Sequence, residues 1–320
     1  MTNREPPVAP VAITREFEAR QGKPMPESVS FHSDGLRLAA DLYLPTGPRR
    51  SQSDRRHPAI VLCHGFGGLR KFWFPEFAAF FTAAGYAVLA FDHRGTGDSQ
   101  GPRLRLIPIE QVADIQAAVT FLETRLDIDA ARIALYGISY GGANAAYAAA
   151  IDPRIKALAC VVGYGDGERW LRSLRREYEW IDFQKRLAED RRRCALTGAS
   201  ELVDTSEVLI RDPEALEHEA AARVQHPDRV TQVTLDTAAG IIAFKLEAIV
   251  ARIAPRASLF VGVEEDRLVP TRETLALYEN AREPKALHLF PAIGHHAVYY
   301  GDNLPKLLGL GLDWFDRYLR

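Results

Sequence analysis

The stretch Ala131-Arg-Ile-Ala-Leu-Tyr136, Gly137-Ile138-Ser139-Tyr140-Gly141, Gly142-Ala-Asn-Ala-Ala-Tyr-Ala-Ala-Ala150 decides the fold. Its first part is an apolar run with strand character. Its last part is a row of alanines with high helix propensity. Between them stands G-x-S-x-G, a strand-to-helix turn so sharp that its central residue is strained and exposed. Gly137 and Gly141 allow the strand and helix backbones to approach closely. Such a turn lifts the Ser139 hydroxyl above the sheet edge, at a helix N-terminus whose dipole favours a developing anion. Ser139 is therefore the candidate nucleophile.

Outward from this turn, strand and helix signals alternate. Ser28 to Leu44 alternates apolar and polar residues around Asp34-Gly35, a hairpin signal. Ala59-Ile-Val-Leu-Cys63 is a continuous apolar run of the kind found in buried parallel strands. A helix over Phe74–Ala84, a strand over Tyr86–Phe91 and a helix over Ile109–Leu126 precede the turn. Strands at Lys156–Val162, Ala257–Val263 and Ala286–Phe290, and helices at Thr271–Ala281 and Pro305–Tyr318, follow it. This order predicts an α/β fold with a mostly parallel sheet and helices on both faces. Residues 26–164 and 251–320 form the expected core, and residues 1–25, rich in Pro and charge, a loose arm.

Residues 165–250 break the rhythm with helical stretches at Glu168–Arg192, Pro213–Arg223 and Thr237–Ile249 and no strand between them. They read as an inserted helical cap. Trp170, Tyr178 and Trp180 are the aromatic candidates for lining a substrate pocket beneath it.

The 320 residues suit one enlarged domain, and 47% hydrophobic with 26% charged residues is ordinary for a globular chain. A net charge of −2 gives no reason to expect nucleic acid or an anionic membrane as partner. No apolar stretch approaches the roughly 18 residues of a membrane span. Met1 to Pro7 lacks the apolar region of a signal peptide, which points to the cytoplasm. Cys63, Cys160 and Cys194 show no metal-ligand spacing and read as reduced thiols. No metal site and no cofactor is expected.

Three further motifs complete the chemistry. His64-Gly-Phe-Gly-Gly68 follows the run ending at Cys63, and a glycine-rich turn there directs backbone N–H groups at the site. Asp92-His-Arg-Gly-Thr-Gly-Asp-Ser99 follows its own strand, lacks the Lys-Ser/Thr of a phosphate loop, and uses Arg94 and Asp98 to hold the loop. After Val263 come Glu264, Glu265 and Asp266; after Phe290 comes Ile293-Gly294-His295-His296. A serine needs a base, and the base an orienting acid, so these acids and histidines are the candidates.

With these motifs the chain resembles the α/β-hydrolase superfamily over roughly residues 28–320, most of all its esterases, thioesterases and Xaa-Pro dipeptidyl-peptidase-like hydrolases. The resemblance implies Ser139 as nucleophile, Asp266 as orienting acid ahead of Glu264 and Glu265, and His295 as base ahead of His296. It implies the backbone N–H groups of Phe66 and Tyr140 as the oxyanion hole, with His64 shaping the loop. The Ser-Tyr pair at the elbow is similar to the peptidase-like group, which usually carries a tyrosine where this chain has Phe66; Xaa-Pro cleavage is accordingly less expected. Ala297 stands where the family usually has an acidic residue, and Tyr299 fits its pattern. The implied reaction is hydrolysis of a carboxylic ester or thioester through an acyl-enzyme, the implied partner a small acyl substrate, and a homodimer is one candidate assembly. The rivals are an acyltransferase or polyketide-releasing thioesterase using the same residues, and a non-catalytic ligand-binding protein on this scaffold.

Overall fold

A computed structural model describes residues 25–45 and 56–319. The expected N-terminal arm lies outside the described residues apart from Met25.

Ten strands and ten α-helices are described. Eight strands make one sheet: β1 (Glu27–Ser33), β2 (Leu36–Tyr43), β3 (His57–Cys63), β4 (Ala87–Phe91), β5 (Ile128–Ile138), β6 (Ile155–Val161), β9 (Ala257–Val263) and β10 (Lys285–Phe290). Their order is β1-β2-β4-β3-β5-β6-β9-β10. The β1–β2 and β2–β4 pairs are antiparallel and the others parallel. The β1–β2 hairpin turns at Asp34 (φ 48°) and Gly35 (φ 79°), the two positive φ values that let a two-residue turn match strand twist.

Strand alternation divides the core in two. On β3, Ala59, Val61 and Cys63 join one apolar cluster, while Ile60 and Leu62 join the other. The first cluster packs under α2 (Pro108–Glu123) and α3 (Tyr140–Ile151); the second packs under α1 (Phe74–Ala83) and α10 (Asn303–Tyr318). Helices thus cover both faces. Burial on both faces explains why β3 and β4 read as unbroken apolar runs.

Between β6 and β9 lie α4 (Gly167–Ser173), α5 (Glu177–Thr197), α6 (Thr205–Val208), α7 (Pro213–Gln225) and α8 (Asp236–Ala243). Two features depart from the sequence expectation. The stretch contains a short antiparallel ribbon, β7 (Leu202–Asp204) with β8 (Gln232–Thr234), so it is not strand-free. The helix expected over Glu168–Arg192 is also two helices. It breaks where Arg175 turns in over the Phe183 ring, 3.8 Å from its centroid, and donates to the carbonyls of Leu171, Glu207 and Val208. Glu179 restarts the helix by accepting the Arg176 N–H at 2.7 Å. Asp166 caps α4 through the N–H groups of Glu168 and Arg169.

The loop after β4 is held by the ion pairs of two buried arginines. Arg70, from the segment after the glycine-rich turn, pairs with Asp41, Asp92 and Asp98, and Arg94 pairs with Asp114 and Asp34. The expected loop-holding role of Arg94 and Asp98 is therefore seen, with Arg70 as the partner the sequence did not announce. Asp92 is fully enclosed, and its carboxylate also accepts the N–H groups of Arg70 and Asp98. Arg70→Met leaves that carboxylate without its cation. The expected cost is about 3–5 kcal/mol, read as a lower urea midpoint with an unchanged slope; a loss under about 1 kcal/mol would mean the pair is solvated like a surface bridge.

Candidate active site

The Ser139 backbone sits at φ 53°, ψ −122°, a conformation an L-residue holds only when its surroundings enforce it. Its N–H donates to Val161 O at 2.7 Å, and its carbonyl accepts the N–H of Gly142 at 2.9 Å. A Cβ at Gly137 would strike Gly141 and Gly142, and one at Gly141 would strike the carbonyls of Cys63 and His64. The two glycines are thus required by close approach of β3, β5 and α3.

Three sequence-expected residues meet here. His295 Nε2 lies 3.0 Å from Ser139 Oγ, and His295 Nδ1 lies 2.7 Å from Asp266 Oδ2. The other Asp266 oxygen accepts the N–H groups of Leu268 (3.0 Å) and Val269 (2.7 Å), which fixes the carboxylate's orientation. Asp266 and His295 are buried. Glu264 and Glu265 are exposed, and Glu264 instead accepts the Ala292 N–H. His296 makes no hydrogen bond to Ser139 and stacks on His218 in the cleft wall, ring centroids 3.9 Å apart. Burial foremost, with His218 and His295 adding, holds its imidazole well below the usual pKa.

The glycine-rich turn closes over the serine. A Cβ on Gly65 would sit 3.4 Å from Ser139 Cβ, and the turn is tied by Gly68 N–H to Gly65 O at 3.0 Å. The Phe66 and Tyr140 rings meet edge to face at 5.3 Å. The Tyr140 hydroxyl donates to Leu106 O at 2.5 Å, inside the core, so it is committed away from the serine. His64 Nδ1 donates to Gly65 O at 3.0 Å, and burial pushes its pKa down to about 3, so the ring is neutral and braces the turn.

Ser139 opens into a narrow cleft. The walls are Phe66, Leu69, Phe72, Trp73, Ile138 and Leu268 from the core, and Leu209, Arg211, Glu219 and Arg229 from the segment between β6 and β9. That segment also touches the glycine-rich turn and the loop that carries His295. Val230 O would lie 3.1 Å from a Cβ on Gly67, and the Glu214 carboxylate lies directly against Gly294. Burial, aided by Asp212 and Asp266, raises the pKa of Glu214.

The three aromatics expected to bind substrate do not line this cleft, which corrects the sequence reading. Trp170 is buried; its ring stacks on Tyr164 at 4.3 Å and its N–H donates to Leu268 O at 2.7 Å. Trp180 is buried beside Phe183. Tyr178 points outward, 58% exposed. The two tryptophans serve packing, and the cleft aromatics that the sequence reading missed are Phe72 and Trp73. Trp73 has a positive φ of 42° and stacks on Tyr299 at 5.6 Å. Cys63 and Cys160 are buried and Cys194 is half-buried; all three are free thiols. Among the described residues no helix is long and apolar enough to cross a membrane.

Comparison with known proteins agrees with this architecture. Residues 54–299 match the family described as serine aminopeptidase, S33. An uncharacterised 31.7 kDa protein from the traX-finO intergenic region of Escherichia coli is 30% identical over 85% of this chain and 94% of its own length. A thiohydrolase of Eupenicillium brefeldianum is 27% identical over 90% of this chain and 91% of its own. The crystal structure of the α/β hydrolase GrgF from Penicillium sp. sh18 superposes with a TM-score of 0.78 at 25% identity, covering 92% of this chain and 99% of that one. A match across most of the chain, an eight-stranded mixed sheet with helices on both faces and a serine on a strained strand-to-helix turn together make it a hydrolase of the α/β-hydrolase fold, belonging to the serine aminopeptidase, S33 family.

Proposed function

We propose that the chain cleaves a carboxylic ester or thioester of a small acyl substrate, with Ser139, His295 and Asp266 as the catalytic triad. The observation that carries this reading is the unbroken hydrogen-bonded line from Ser139 Oγ to His295 (3.0 Å) and from His295 to Asp266 (2.7 Å). Ser139 Oγ attacks the carbonyl carbon while His295 Nε2 takes its proton. The oxyanion is held by the backbone N–H groups of Phe66 and Tyr140, the second at the first turn of α3. Collapse breaks the ester or thioester bond, His295 returns the proton to the leaving group, and the acyl group stays on Ser139. Water then gives its proton to His295, attacks the acyl carbon and releases the acid. Asp266 orients the imidazole and stabilises its charged form throughout. The fungal thiohydrolase relative supports an acyl substrate on a sulfur leaving group.

Acyl transfer is the second reading. It is favoured by a polyketide transferase of Penicillium sp. that is 27% identical over 89% of this chain. The two share every step up to the acyl-enzyme and differ in whether water or an alcohol or amine takes the acyl group.

The test is a screen of p-nitrophenyl acyl esters and acyl thioesters with the wild type, with and without added alcohols. Turnover with covalent labelling of Ser139 by a fluorophosphonate is expected. Product partitioning toward the alcohol would select the transferase reading. No turnover and no labelling would sink both and leave a non-catalytic binding protein.

A further inference from the structure

The cleft at Ser139 is apolar along most of its wall but carries a buried cationic end. Arg211 and Arg229 each have side chains only 8% exposed, and the carboxylate between them, Glu219, is 7% exposed. Glu219 Oε2 lies 3.1 Å from Arg229 and 3.9 Å from Arg211, while its Oε1 takes Arg223, which stands at the surface with 40% of its side chain exposed. Burial works against ionisation of Glu219, but Arg229, Arg211 and Arg223 together hold its carboxyl below the usual range. Two buried guanidiniums therefore share one carboxylate, and one positive charge inside the cleft is left over.

A second observation points to a ligand there. Arg229 Nε is enclosed and has no hydrogen-bond partner among the described residues. Three other polar atoms of cleft-lining residues share that condition: His64 Nε2, His296 Nδ1 and Tyr299 Oη. Buried polar groups are nearly always satisfied, and an unpaired buried charge is costlier still. An unpaired nitrogen on a buried guanidinium that lines the cleft is what a site lacking its anionic ligand looks like. Of the acids nearby, Asp266 holds His295, Asp204 pairs with Arg223 at 3.5 Å, Glu214 packs at Gly294, and Asp228 lines an adjoining cleft that Leu69 and Arg229 also border.

We infer that the acyl group accepted at Ser139 carries a carboxylate, which Arg229 binds with Arg211 beside it. The inference rests on the acyl-hydrolase reading above and names its substrate class: monoesters or monothioesters of carboxylate-bearing acids. A guanidinium offers a planar fork of donors that matches a carboxylate. One surplus charge suits one carboxylate rather than a polyphosphate. The apolar side chains of Phe72, Trp73, Leu209 and Leu268 line the same cleft and suit the methylene chain between the two ends.

The test compares p-nitrophenyl monoesters of adipate, suberate and sebacate with the same esters capped as ω-methyl esters. The wild type is expected to favour at least one free carboxylate by about tenfold or more in kcat/KM, the range of a charge-assisted hydrogen bond. Arg229→Gln is expected to bring that ratio close to one whatever its absolute rate, and Arg229→Lys to keep part of it. Equal wild-type ratios across the series, or a preference that Arg229→Gln and Arg211→Gln both leave intact, would overturn the proposal. So would a preference appearing only when the carboxylate is moved to the leaving group, as in 4-acetoxybenzoate. Arg229 is buried, so a second measurement avoids the risk of misfolding. Ser139→Ala, with both arginines intact, should bind adipate more tightly than hexanoate by calorimetry, and the reverse order would also overturn the proposal. That measurement needs no turnover, so it separates failure of the carboxylate site from failure of the hydrolase reading.

Discussion

Ser139→Ala is expected to lower kcat on activated esters by about 10⁴–10⁶-fold, the range seen when a triad nucleophile is removed. The protein should stay folded, as judged by near-ultraviolet circular dichroism. The size follows from the geometry. Only Oγ stands 3.0 Å from His295 Nε2, and no other hydroxyl hydrogen-bonds that nitrogen among the described residues. The backbone at φ 53° is set by the close approach of Gly137 and Gly141 to their neighbours, not by the serine side chain, so alanine keeps the turn. The proposed oxyanion donors, the Phe66 and Tyr140 N–H groups, are backbone groups that survive the substitution and would account for the residual rate over water. Activity within tenfold of wild type would remove Ser139 from the mechanism.

The parts of the site that were legible in the sequence are local in the chain. The elbow needs two glycines, a serine, a strand before and a helix after, all within Ala131–Ala150. The Asp266 and His295 loops each follow the end of a parallel strand, where open α/β sheets place their sites. The cleft at Ser139 was not legible, because its wall is assembled from distant pieces. Phe72 and Trp73 follow the glycine-rich turn, Leu209 and Arg211 precede α7, Glu219 lies on it, and Arg229 lies after it. In sequence only Glu219 and Arg223 stand at i,i+4 spacing, as an ordinary solvated helix pair does, and Arg211 and Arg229 flank the helix with nothing to link them to it. Only the fold reveals that Arg223 is outside while the other three are buried. Trp170 and Trp180 mislead for the converse reason. A large aromatic contributes as much by filling the core as by lining a pocket, and periodicity does not distinguish the two. The break between α4 and α5 was equally hidden, since it depends on Arg175 reaching carbonyls more than thirty residues away at Glu207 and Val208.

His295→Ala is expected to cost at least about 10³-fold in kcat/KM, against less than about tenfold for His296→Ala. The two histidines are neighbours, both face the region of the cleft, and the sequence alone left them as alternatives. Their surroundings separate them. His295 has one ring nitrogen on Ser139 and the other on Asp266, so it can accept the serine proton at Nε2 while its Nδ1–H stays held. His296 stacks on His218, and its Nδ1 finds no partner among the described residues. With burial, His218 and His295 all disfavouring its charged form, it is a poor proton acceptor. Its loss removes a stacked ring and part of the cleft wall, which changes KM more than kcat. The acid follows the same logic. Asp266→Asn replaces an oxygen that accepts the His295 Nδ1–H by an amide with two possible orientations, and Asp266 Oδ1 already holds two backbone N–H groups. The amide oxygen would stay on those donors and turn its NH₂ toward His295, forcing the ring into the tautomer with the proton on Nε2. That tautomer cannot take the serine proton, and the expected loss is about 10⁴-fold. Glu265→Gln, at an exposed position, should change the rate by less than about threefold, as surface substitutions away from a site do. A larger loss at His296 than at His295, or at Glu265 than at Asp266, would move the base or the acid and break the line of hydrogen bonds on which the mechanism stands.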